Sequence, residues 1–126
     1  MRLSAALTTV WLALAITPAG AATWVNIGKN NSGSSYDVDW DSVSRNGNLV
    51  TFTLRVQYSP AAAQDGADGF VALRQGNCAD GSFTDLHTDY MLKGKVLNTT
   101  SADEAQKARG ATIAESVLKK VCSKRG

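Results

Sequence analysis

The chain has 126 residues, 44% of them hydrophobic, with 13 Lys and Arg against 11 Asp and Glu and a formal net charge of +2. That length supports one small domain, and the near balance of charge gives no electrostatic reason to expect nucleic acid, whose binders carry concentrated basic surface. It equally provides no strong pull toward an anionic membrane.

The first residues read as an address. Arg2 supplies a positive charge, Ala5 to Ile16 is apolar apart from Thr8 and Thr9, and Pro18 breaks the run. Ala19, Gly20, Ala21 and Ala22 then offer small side chains, the layout of a secretory signal peptide. The run is too short for a bilayer span, which needs about 20 apolar residues. Cleavage after Ala21 or Ala22 satisfies the small-residue rule equally well. No cysteine lies near this region, so no lipid anchor is expected. The expected organisation is a signal peptide at 1–22 and a single domain at 23–126, exported to the periplasm or secreted. Removing residues 1–22 leaves 104 of the 126 residues and, with Arg2 gone, a formal charge of +1 instead of +2.

In the mature chain, Thr23 to Gly28 reads as a first strand, and the polar run Lys29 to Ser35 as a turn. Tyr36 to Trp40 forms a second strand, linked by residues 41–44 to Arg45-Asn46-Gly47-Asn48. The Asn-Gly pair there is a hairpin signal, because both residues tolerate positive φ. The strand that follows, Leu49 to Tyr58, organises the rest. Val50, Phe52, Leu54, Val56 and Tyr58 form one apolar row, and Leu49, Thr51, Thr53, Arg55 and Gln57 a largely polar one. Such alternation marks a half-buried strand of an antiparallel sheet. Ser59 to Asp68, with Pro60, three alanines and Gly66, suits a loop.

Gly69 to Cys78 and Ser82 to Leu92 read as a hairpin closed by Ala79-Asp80-Gly81. A short last strand, Lys95 to Asn98, follows the turn at Lys93-Gly94. Ser101 and Glu104 have capping-box spacing, so a helix is expected to begin there. Ala105, Ala108, Ala111, Ala114, Val117, Leu118 and Val121 continue it at helical spacing. Gly110 weakens its middle by about 1 kcal/mol relative to Ala, which makes 102–109 a candidate separate segment. Lys119, Lys120, Lys124 and Arg125 suit the negative end of the helix dipole better than a polyanion site.

Export changes how the two cysteines, Cys78 and Cys122, are read. In an oxidising compartment an isolated pair forms a structural bridge, and here there is neither Cys-x-x-Cys spacing nor a metal-like ligand set. In the chain-entropy account, closing that loop restricts the unfolded state by about 4 kcal/mol. The bridge would tie the helix end to the sheet, and this raises a question of parity. Cys78 shares its strand face with Phe70, Ala72, Arg74 and Gly76. Either Val71 and Leu73 lie on the face away from the helix, or a bulge at Gly76 flips the alternation.

Two clusters are candidates for chemistry. Asp85, His87 and Asp89 share one face of their strand by alternation, and two carboxylates beside an imidazole suit a metal or a raised histidine pKa. The plainer reading is a solvated polar row, since no further ligand or nucleophile can be assigned. Asp37, Asp39 and Asp41 also share a parity, but Ser42 replaces the glycine of a calcium loop and no glutamate closes its frame. They read as strand-end and turn residues. No metal and no cofactor is assigned. Asn30-Asn31-Ser32 and Asn98-Thr99-Thr100 match glycosylation acceptors, a short pattern of little weight.

Several features in order resemble the surface-adhesin protein E family of small exported bacterial proteins. These are Trp24-Val25, Tyr36-Asp37-Val38-Asp39 leading to Ser42-Val43, Arg45-Asn46-Gly47-Asn48-Leu49-Val50, Tyr58, and the pair Cys78 and Cys122. The resemblance spans residues 23–122. It implies an antiparallel sheet crossed by a C-terminal helix and stapled by the disulfide. The best-known member binds host extracellular-matrix proteins and dimerises. The expected fold is therefore α+β: an antiparallel sheet of about five to six strands with the C-terminal helix packed on one face. The expected function is a non-enzymatic, adhesin-like binding module, secreted or periplasmic, recognising a host-matrix or envelope protein and able to form a homodimer. Two alternatives stand beside it: a metal-dependent or hydrolytic activity at Asp85, His87 and Asp89, and a structural envelope protein.

Overall fold

A computed structural model describes residues 21–63, 66–102, 106–108 and 112–124. Its strands are β1 (Trp24–Lys29), β2 (Ser35–Asp39), β3 (Ser44–Asn46), β4 (Leu49–Gln57), β5 (Gly69–Asn77), β6 (Ser82–Leu92), β7 (Lys95–Ser101) and β8 (Gln106–Lys107). One helix, α1 (Ile113–Cys122), follows them. The eight strands make one sheet in the order β1-β2-β4-β5-β6-β7, with β3 paired to β4 and β8 to β6. All of these pairings are antiparallel.

The strand count exceeds the expected one because two strands are split. β2 pairs with Leu54–Gln57 of β4, and β3 with Leu49–Thr51 on the same edge, so residues 35–46 form one strand broken by the 3-10 turn Trp40–Ser42. The break leaves the Thr53 amide without a strand partner, and the Ser42 hydroxyl accepts from it at 2.9 Å while donating to the Asp39 carbonyl at 2.7 Å. A single serine thus repairs the ladder. At the far edge β7 covers only His87–Leu92 of β6, and β8 pairs with Ser82 and Phe83.

Alternation in β4 is realised: Val50, Phe52, Leu54 and Val56 are at most 1% exposed. They form the core with Val38 and with Val117, Leu118 and Val121 of α1. Each such burial is worth roughly 1.5–3 kcal/mol. The β4–β5 register sets Val50 opposite Gly76, Phe52 opposite Arg74 and Leu54 opposite Ala72, so the helix covers the Cys78 face. Gly76 carries no bulge. It leaves room for the helix, since a Cβ there would lie 2.4 Å from Leu118 Cδ1. Leu73 points away from the helix and is 40% exposed. Cys78 and Cys122 are bonded, with Cα atoms 5.9 Å apart, tying the end of β5 to the last residue of α1.

The helix starts later than its capping box predicts. Ser101 closes β7, and Gln106 pairs with Phe83 of β6. The N-cap is Thr112, whose side chain accepts from the Glu115 amide at 3.4 Å. Unpaired backbone at the start of the long strand β6 outweighs the local helical signal between 101 and 108. Ala108 donates to the Gly81 carbonyl at 2.9 Å, whereas Glu104, Ala105, Gly110 and Ala111 lie outside the described residues. At the other end Lys119 and Lys120 lie in the last turn of the helix, where the dipole is negative, while Arg125 lies outside the described residues. Arg45 Nη1 donates to the Cys122 carbonyl at 2.8 Å, and Lys124 Nζ donates to the Trp40 carbonyl at 2.5 Å. Lys120 and Lys124 also lie 5.5 and 5.2 Å from the Trp40 ring centre.

Two substitutions probe this docking. Gly76→Val is expected to cost about 1–3 kcal/mol in urea unfolding, partly recovered by Leu118→Ala, because overpacking and not strand propensity carries the penalty. Replacing both cysteines by serine is expected to lower stability by about 4 kcal/mol, and an unchanged urea midpoint would contradict the staple's role.

Candidate functional site

Alternation placed Asp85, His87 and Asp89 on one face of β6; the structure separates them. Ala72 pairs with Thr88 and Leu73 with His87, but Arg74 pairs with Asp85, so the register shifts and Leu86 is passed over. Before that irregularity the parity of β6 is reversed. Asp85 turns to the helix side and meets Arg74, with Nε to Oδ1 at 2.7 Å and Nη2 to Oδ2 at 3.1 Å. Arg74 is only 7% exposed, and its guanidinium lies 4.2 Å from the Phe83 ring centre. A buried arginine requires a carboxylate, and the bulge delivers one.

His87 and Asp89 remain on the helix-free face, Nε2 to Oδ1 at 2.9 Å, with the His87 side chain 52% exposed. Thr99 Oγ1 donates to the same Asp89 oxygen at 2.7 Å. That hydrogen bond holds the Asp89 carboxyl below its ordinary pKa; desolvation opposes the shift, and the hydrogen bond and charge of His87 assist it. The Thr99 hydroxyl is committed to the carboxylate, so it is not activated as a nucleophile by the imidazole. Among the described residues no group of three or more His, Cys, Asp and Glu side chains is placed to hold a metal ion.

The second acidic row is likewise divided among separate bonds. Asp37 pairs with Arg55 Nη2 at 2.9 Å and accepts from Asn26 Nδ2 at 2.8 Å. Asp39 accepts from the Thr23 amide at 3.0 Å and Asp41 from the Thr23 hydroxyl at 2.6 Å. These contacts fit strand-end and turn roles.

Sequence reading did not find the cluster on the helix-free face. Arg55 stacks 4.1 Å from the Trp24 ring centre while held by Asp37, joining β1, β2 and β4. The three residues share that face only once the registers Trp24 to Asp39 and Asp37 to Arg55 are known. Beside it lies an open groove of about 400 Å³ lined by Arg55, Gln57, Gly69, Val71 and Met91, among others. Leu73 and Leu49, each 40% exposed, stand on the same face. No helix among the described residues is long and apolar enough to cross a membrane.

Separation of the two pairs has a measurable consequence. Asp85→Ala strands a buried guanidinium and is expected to cost about 3–5 kcal/mol, whereas His87→Ala, at an exposed position, is expected to change stability by less than about 0.5 kcal/mol. Equal costs would contradict the division of β6. For Asp89 the folded-state pKa is depressed, so its stabilising contribution is present above the ordinary carboxylate pKa and is lost as pH falls through the lower folded value. Thr99→Val is expected to move the Asp89 titration, followed by NMR, back up toward the ordinary value.

Comparison with known proteins accords with this architecture. No individual curated protein matches the chain. The family model described as surface-adhesin protein E matches residues 24–123, the whole of the sheet and of the helix. The chain belongs to the surface-adhesin protein E family.

Proposed function

We propose that the chain is exported through the signal in residues 1–22 and acts, in the periplasm or outside the cell, as a non-enzymatic binding module. Family membership supports an adhesin-like role. The partner is a protein of the host matrix or of the envelope, and the helix-free face of the sheet is its docking surface. One observation carries this: that face presents Leu73 in line with Val71, which pairs with Arg55 of the Arg55–Trp24 stack, and with Leu49 at the far end of β4, both leucines 40% exposed and none of these residues sealed by the chain's own helix. Tryptophan, methionine and arginine are enriched where proteins meet, and exposed apolar side chains grouped with them mark interfaces.

The competing reading, a metal-dependent or hydrolytic centre at Asp85, His87 and Asp89, lacks support because Asp85 sits across the sheet from the other two. Surface-immobilised mature domain, presented with purified host-matrix and envelope proteins, is expected to bind one of them saturably. Leu73→Asp and Leu49→Asp are expected to weaken that binding at least about tenfold, a loss of about 1.4 kcal/mol or more, with the thermal midpoint held. His87→Ala should leave it unchanged. Binding that survives both leucine substitutions would remove the helix-free face as the docking surface. Sedimentation of the same variants tests whether a second copy uses that face.

A further inference from the structure

The strand order closes on one side with β7, which has β6 as its neighbour, and all seven of its residues are exposed. Among the described residues no backbone group pairs with its outer edge. Natural sheets guard such edges with charge, proline, bulges or a covering element. The opposite edge is guarded. β1 is irregular at Ile27, which packs against the core, and Ile113 of α1 stands 3.5 Å from where a Cβ on Gly28 would lie. On β7 the guard stops halfway. Lys95 carries the strand's single charge, and Leu97 is the extra residue of a bulge, because Val96 pairs with Met91 and Asn98 with Tyr90. From Asn98 to Ser101 the strand pairs in unbroken register with Tyr90 to His87, and it has no charge, proline or glycine there.

We infer that the outer edge of β7 at Asn98–Ser101 receives an extended segment of a partner protein as an added antiparallel strand. Every second residue of an antiparallel strand turns its N–H and C=O away from the paired neighbour, so this stretch offers donors and acceptors in a row. An extended, proline-free backbone is the chemistry that matches such a row. Beside it stand the two most exposed large hydrophobic side chains, Val96 at 53% and Leu97 at 49%, which suit apolar side chains on the incoming segment. Lys93 and Lys95 lie at the start of the strand and have no ion pair among the described residues. Antiparallel pairing brings the C-terminal end of the segment to them, so a carboxylate belongs there. This edge goes beyond the docking reading of the helix-free face and does not use Leu73 or Leu49.

A fluorescent peptide of alternating threonine and valine, matched in length to β7 and closed by aspartate, is titrated into the exported protein and followed by anisotropy. Saturable binding is expected, with amide hydrogen exchange at alternate residues of Asn98–Ser101 slowed at least about tenfold at saturation. No binding, or a bound peptide that leaves those amides unprotected, would overturn the proposal. The same peptide N-methylated at every residue lacks amide donors and is expected to bind at least about tenfold more weakly; equal affinity would count against strand addition. Adjacent prolines at 100 and 101 remove one inward and one outward N–H between them. One of Thr100→Pro and Ser101→Pro is therefore expected to hold the native thermal midpoint and lose the peptide, and native affinity in that folded variant would overturn the assignment. Should neither hold it, the exchange pattern of the native protein decides alone. Leu73→Asp is expected to leave peptide binding unchanged, so failure of this edge and failure of the helix-free face are read separately. Sedimentation as a dimer, with the same amides protected before peptide is added, would give the edge to a second copy and overturn the partner segment as its occupant.

Discussion

The close seating of α1 on the sheet is the contact from which the rest follows. A helix of ten residues is too short to hold itself together in water, so its order comes from where it is docked. Val117, Leu118 and Val121 supply the apolar stripe, and the glycine at 76 lets Leu118 reach the strand backbone. Its last turn is then fixed from three directions: by the disulfide to Cys78, by Arg45 on the Cys122 carbonyl, and by Lys124 reaching back to Trp40. The two basic side chains lie where the helix dipole is negative, so charge and covalent linkage act at the same point. Cationic residues that in isolation read as a tail are in fact part of the clamp.

One charged residue on the helix side reshapes the opposite half of the sheet. Arg74 shares its strand face with Ala72 and Gly76 and is withdrawn from solvent, where an unpaired guanidinium would be prohibitive. The irregularity in β6 brings Asp85 across to it in bidentate geometry. What this takes from the other face is the third member of an apparent ligand set. A single backbone irregularity therefore settles a stability problem and dissolves a catalytic candidate together, leaving His87 and Asp89 as an exposed pair bound by Thr99.

The sequence was most legible where one physical signal dominated. β4 could be read directly because four apolar side chains alternate over its length, and the hairpin from Gly69 to Leu92 because a tight turn separates two β-rich runs. The cysteine pairing followed from export and isolation. Two things were hidden. Short strands such as β3 and β8 exist to complete ladders that neighbouring strands leave open, a demand invisible in their own residues. Cross-strand register was the other: Trp24, Asp37 and Arg55 each had a readable parity, but nothing local says that they meet. The same ignorance of register put Asp85 beside His87, because period-two counting cannot see a skipped residue.

The division of labour between the two faces makes a binding role physically economical. Folding is settled on the helix side, where core, disulfide and buried ion pair all lie. Leu73, Leu49 and Val71 face the other way and contribute little that the fold requires, yet Val71 pairs directly with Arg55, whose guanidinium is held on an indole. That stack is already ordered by Asp37, so a partner meeting it would face less loss of side-chain freedom on contact. A surface of this kind can change its exposed residues, and with them its partner, without disturbing the core that holds it in place. The residues that fold the chain and those the helix leaves uncovered thus stand on opposite sides of the same strands.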